Sequence, residues 1–171
     1  MSELETAKKR ALYLLGGRDY SRKELFDKLL KNYSREICEA AVEQMIEYGY
    51  LDDRKYAFRL AKKYIEVRGY GRSRAKMMMT AKGLSSELSE EALEQYSDDD
   101  IVEEISAIIE KKYKDRLLIG GIEGRKEREK VMAALMRRGF EYRNIKTAID
   151  LVRKTDDFDD YDENSDYDWQ F

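Results

Sequence analysis

The chain has 171 residues, of which 40% are charged, with no proline, no histidine and a single cysteine. This composition excludes a Cys/His zinc site, a Cys/His nucleophile pair and any disulfide within the chain. The net charge of −3 conceals a division: residues 155–171 hold eight acids and no base, whereas the first 154 carry 33 Lys or Arg against 28 Asp or Glu, a net +5.

Leu, Ala, Glu, Lys and Arg dominate, which predicts an all-α protein. No apolar run approaches about 18 residues and no signal-peptide pattern follows Met1, so a cytoplasmic protein is expected, neither secreted nor membrane-spanning. In chain order, Leu4, Ala7, Ala11, Leu14 and Leu15 form a helical stripe that stops at Gly16-Gly17. Ser21 with Glu24 has capping-box spacing, and Leu25, Phe26, Leu29 and Leu30 give a short second helix. Ser34 caps a third helix with the stripe Ile37, Cys38, Ala41, Val42, Met45 and Ile46, closed by Gly49. Cys38 reads as a small core residue.

The plan then repeats. Asp52 or Asp53 opens a helix with Tyr56, Ala57, Leu60, Ala61, Tyr64 and Ile65 inward, broken by Gly69-Tyr70-Gly71. A short helix follows on Ala75, Met78 and Met79, with Met77 about 200° from Ala75 and turned outward. Gly83 stops it, and Ser85 or Ser86 caps a helix carrying Leu88, Ala92 and Tyr96. A third round starts at Ser97, with Ile101, Val102, Ile105, Ile108 and Ile109 on one face. The segment Asp115 to Gly124 reads as a long turn in which Gly120 to Gly124 is a flexible linker. Val131, Met132, Leu135 and Met136 then mark a helix stopped by Gly139, and Ile145, Ala148, Ile149 and Val152 mark the last.

Leu25 and Leu29 align with Ala75 and Met79 and with Val131 and Leu135. A period of about 45 to 50 residues predicts three tandem three-helix repeats in an elongated, curved body. The expected boundaries are 1–51, 52–96 and 97–154, followed by a disordered acidic tail over 155–171. That tail interleaves its acids with Phe158, Tyr161, Tyr167, Trp169 and Phe171. Such a chain imitates a single strand, carboxylate for phosphate and ring for base. It reads either as a reversible mask over the basic faces of its own repeats or as a solubilising extension.

Catalysis finds no support. No G-x-x-x-x-G-K-[ST] loop occurs, and the acidic clusters Asp52-Asp53 and Asp98-Asp99-Asp100 stand at helix starts, where carboxylates accept from free N–H groups rather than hold a metal. The expectation is a non-enzyme with no cofactor and no metal. The basic residues carry the functional reading. Residues 52–83 hold ten Lys or Arg against three Asp or Glu. Arg68, Arg72, Arg74, Lys76 and Lys82 surround the Gly69-Tyr70-Gly71 turn, and Arg125, Lys126, Arg128 and Lys130 occupy the start of the equivalent helix in the third repeat. Positive charge there opposes the helix dipole and does not serve the helix itself. These residues either contact nucleic acid or an acidic protein groove, or form a solvated face balanced by acids such as Glu127 and Glu129. Tyr70 either stacks on a base or packs internally.

Gly-Tyr-Leu-Asp-Asp at 49–53 followed by Tyr56-Ala57, the Arg68 to Gly71 break, Ala-Lys-Gly-Leu at 81–84 and Arg-Arg-Gly-Phe at 137–140 resemble the bacterial RecX recombination regulators. With Ser21 to Leu29 and the tandem layout, the likeness covers about residues 5 to 153. It implies a modular, elongated, non-enzymatic protein that binds the RecA recombinase, lodging in the groove of the RecA filament on single-stranded DNA. A monomer is expected, with double-stranded DNA a further candidate partner. Its effect on recombination and the SOS response would usually be inhibition. Asn32 stands where the family has a glycine, and the acidic aromatic tail lies outside the pattern. The competing classes are a general nucleic-acid-binding helical repeat without recombinase specificity and a structural adaptor of protein partners.

Overall fold

The protein is described by a computed structural model over residues 2–155. Helices α1 (Glu3–Gly17), α2 (Arg22–Leu29) and α3 (Arg35–Glu47) form the first group. In the second, α4 (Asp53–Lys62) runs directly into a π-helical turn, Lys63–Val67, before α5 (Arg72–Ala81) and α6 (Ser86–Leu93). The third comprises α7 (Asp98–Lys112), a short α8 (Lys114–Leu117), α9 (Gly121–Arg137) and α10 (Tyr142–Thr155). No strand occurs among the described residues. The all-α expectation of three three-helix groups holds, with α8 as an addition to the third. Thr155 closes α10, and the rest of the segment expected to be a disordered tail, 156–171, lies outside the described residues.

Short side chains set where the helices begin. Ser2, Ser34, Asp52 and Ser85 each accept from an amide in the first turn of the helix that follows, and Ser21 and Ser97 complete capping boxes with Glu24 and Asp100. The ends are set by glycine. Gly49, Gly83 and Gly139 have φ of 73°, 88° and 89°, and each sits in a Schellman motif. The next residue's amide donates back to Met45, Met79 and Leu135 respectively, over 2.9, 3.3 and 3.3 Å.

The chain divides into two compact units, one up to Tyr96 and one from Ser97 onward. In the first, α1 packs along α3 and α4 along α6. Cys38 is fully buried, as are Leu25, Leu29, Met45, Ile65 and Met79. Polar links join the first two helix groups. The Arg22 amide donates to Asp53 over 2.8 Å, the Ser21 hydroxyl donates to the Lys82 carbonyl, Arg59 meets Asp19 at 3.0 Å, and Lys82 meets Glu24 at 3.6 Å. Burial pushes the Asp53 carboxyl up despite that amide. In the second unit α10 packs along α7 around Ile101, Ile105, Ile109, Ile145 and Ala148, and Asn144 Nδ2 donates to Asp98 Oδ1 over 3.3 Å.

Three sequence expectations are corrected. Gly120 to Gly124 is not a flexible linker: Gly120 is the N-cap of α9 and the helix starts at Gly121. The first-turn amides of a helix have no intrahelical acceptor in any case, and Gly124 is required by close approach, since a Cβ there would fall 1.8 Å from the Ile119 carbonyl oxygen. Leu30 and Met136, expected on apolar faces, are 43% and 50% exposed. Leu30 falls on the C-cap of α2, and Met136 lies about 100° beyond Leu135, past the edge of the buried stripe.

Candidate functional site

The turn between α4 and α5 is shaped by the extra residue of the π segment. The Arg68 amide donates to the Lys63 carbonyl over 3.0 Å, closing a five-residue step in place of four. Tyr64 stays buried while Val67, 75% exposed, and Arg68 face solvent. Gly69, with φ 62°, reverses the chain, and the Tyr70 amide returns to the Tyr64 carbonyl over 2.9 Å. The Tyr70 ring then stacks on Tyr64, centroids 6.1 Å apart at 28°, and the Arg74 guanidinium lies 4.3 Å from the Tyr70 centroid. Tyr70 therefore takes the internal option, wedged among residues of its own turn.

The other cations of this stretch have structural partners. Arg72 donates to the Tyr96 carbonyl over 2.6 Å, and the Tyr96 hydroxyl donates to Glu66 over 2.8 Å, tying the turn to the end of α6. Lys76 pairs with Glu90, and that hydrogen bond holds the Glu90 carboxyl below its ordinary range. Lys82 reaches Glu24. Below the turn, burial first and the Glu24 charge second push the Tyr56 phenol up to about 12, and the same two causes raise Tyr64. Met77 is 62% exposed on the outer side of α5, as its angle from Ala75 predicts.

α5 begins unlike its neighbours. Gly71 is its N-cap, no side chain among the described residues accepts there, and its first turn holds no acid but Arg72 and Arg74. α9 shares part of this plan, since Gly120 also gives no side-chain cap. Around its start Arg125 lies 3.5 Å from Glu129, Lys126 is exposed, and Arg128 is half-buried beside Gly124. Lys130 and Arg116 both reach Glu127, each at 2.6 Å, and these hydrogen bonds, Lys130 first, hold its carboxyl low. The sequence-predicted residues thus form two groups in different units: Arg68, Tyr70, Arg72, Arg74, Lys76 and Lys82 in the first, and Arg125, Lys126, Arg128 and Lys130 in the second. Sequence reading missed the exposed apolar residues beside each group, Val67 in the first and Leu118, Ile119 and Ile122 in the second. Among the described residues no cluster of His, Cys, Asp or Glu suits a metal ion, and no helix is long and apolar enough to cross a membrane.

Family descriptions match each helix group in turn: "RecX, first three-helix domain" over residues 7–45, the second over 52–93 and the third over 98–149. The chain is 33% identical over 153 residues to the "Regulatory protein RecX" of Caldanaerobacter subterraneus subsp. tengcongensis, covering 88% of this chain and 72% of that one. The chain belongs to the RecX family. A second RecX relative, from Prosthecochloris aestuarii, is 31% identical over 153 residues, 88% of this chain and 97% of that protein. The crystal structure of RecX from Lactobacillus salivarius superposes with a TM-score of 0.80 at 23% identity, over 88% of this chain and 97% of that one, and so shares the RecX fold.

Proposed function

We propose that this RecX protein binds the filament formed by the RecA recombinase on single-stranded DNA and restrains its recombination and SOS activities. It acts in the cytoplasm, as a monomer, without catalysis or cofactor. The observation that carries the reading to particular residues is the start of α5: an N-terminus that among the described residues has no side-chain cap and no acid in its first turn, flanked by Arg68, Arg72 and Arg74. Backbone N–H groups and guanidinium groups converge there on the chemistry of a phosphate or a carboxylate. Arg68 and Arg74 make the contact in this reading, whereas Arg72 holds the turn on Tyr96.

The deciding experiment adds the protein to RecA on single-stranded DNA and follows DNA-dependent ATP hydrolysis and strand exchange. Inhibition at amounts far below those that cover the DNA supports the proposal. Inhibition only at saturating amounts assigns the chain to the general nucleic-acid binders instead.

A further inference from the structure

Leu118, Ile119 and Ile122 leave 37%, 39% and 80% of their surfaces exposed at the junction of α8 and α9, close in sequence to Arg125, 65% exposed, and to the exposed Lys126. Apolar side chains gathered in water beside cations form a face that an acidic, aromatic partner would cover favourably. The chain itself carries such a segment. Residues 156–171 hold eight acids, no base and the rings of Phe158, Tyr161, Tyr167, Trp169 and Phe171.

The geometry of the second unit brings the two within reach. α7 and α10 start together, pinned by Asn144 on Asp98, and pack along each other, so Lys112 and Thr155 lie at the same end of the unit. α8 begins at Lys114, two residues after Lys112, and leads into α9 at that end. Residue 156 thus follows a helix end beside the exposed junction. An extended chain gains about 3.3 Å per residue, so the segment spans roughly 50 Å, longer than the roughly 25 Å of α9.

We propose that segment 156–171 docks on the α8–α9 face of its own chain, its rings over Leu118, Ile119 and Ile122 and its carboxylates towards Arg125 and Lys126. The docking stands on its own. Its consequence, that nucleic acid must displace the segment to reach α9, rests on the proposed function.

Trp169 is the chain's single tryptophan and lies in the segment, so its emission reads the docking directly. In the full chain, emission to the blue of that of a synthetic 156–171 peptide, with protection from acrylamide quenching, is expected. Ile122→Asp and Lys126→Glu, both at exposed positions, should each return the signal towards that of the peptide. Emission equal to the peptide's, or unchanged in both variants, overturns the proposal. A blue shift lost on dilution overturns it as well, because it assigns the contact to a second copy. Adding oligo-deoxythymidine then separates the two readings. Return of Trp169 to solvent supports both, whereas a docked segment indifferent to the oligonucleotide keeps the docking and removes α9 from the DNA surface.

Discussion

Gly49 and Gly83 hold equivalent left-handed positions in their Schellman motifs, with φ of 73° and 88°, yet their surroundings differ. Among the described residues a Cβ at Gly49 meets nothing within 4 Å, whereas one at Gly83 falls 2.5 Å from Cβ of Lys23 and 2.8 Å from its Cδ. The Lys23 chain beyond Cβ can swing aside, but Cβ moves only with α2. Gly49→Ala should therefore cost only the left-handed backbone term, about 1–2 kcal/mol. Gly83→Ala should add an overpacking term of about 1–3 kcal/mol, for a total of about 2–5 kcal/mol. Urea denaturation followed by far-ultraviolet circular dichroism measures both, with unchanged m-values as the control for comparable unfolding. Adding Lys23→Gly to Gly83→Ala removes the colliding Cβ and should recover the excess, less about 1 kcal/mol for glycine in a helix. Equal losses for Gly49→Ala and Gly83→Ala would refute the close packing of α2 against the α5 stop.

Leu60, 4% exposed on α4, should lose about 2–5 kcal/mol as Leu60→Ala in the same assay. The Tyr56 phenol, raised from 10.0 to about 12, is protonated more in the folded than in the unfolded chain between those values. Its contribution to stability is therefore intact below pH 10 and lost as pH rises towards 12. Tyr56→Phe should shrink that alkaline fall in the urea midpoint, and a fall of unchanged size would show that other groups cause it. Arg68→Ala should lower the salt slope of single-strand binding by about 0.7, as loss of one phosphate contact requires. Arg72→Ala should cost about 1 kcal/mol of stability through its bond to the Tyr96 carbonyl, read as a lower urea midpoint.

The helix groups were legible because their limits depend on local chemistry. Ser21 with Glu24, Ser97 ahead of its aspartates, and Gly83 and Gly139 act on residues within one turn, and a single sequence contains all of them. The start of α9 was not legible, since Gly124 is explained only by the Ile119 carbonyl lying against it, and three nearby glycines otherwise signal a linker. The π turn was hidden for a related reason: Leu60, Ala61, Tyr64 and Ile65 give the same inward stripe whether the next turn closes over four residues or five. For the candidate site, charge identified the residues but not their partners. Arg72 and Tyr96 are 24 residues apart, and nothing local to either announces their bond. The stack of Tyr70 on Tyr64 is closer in sequence but depends on the φ of 62° at Gly69.

The π segment also acts as a phase adjuster. One residue more than an α-helix would use advances everything after it by about 100° around the axis. The residues up to Lys62 keep the azimuth demanded by α6, while Arg68 and the chain reversal behind it take a bearing of their own. Core and surface are thereby uncoupled along one continuous rod. Changes of length within Lys63–Val67 would re-aim the basic turn while leaving the buried side chains of α4 in place, and their cost to stability would fall on Tyr64 and Ile65, the two core residues that the segment itself carries.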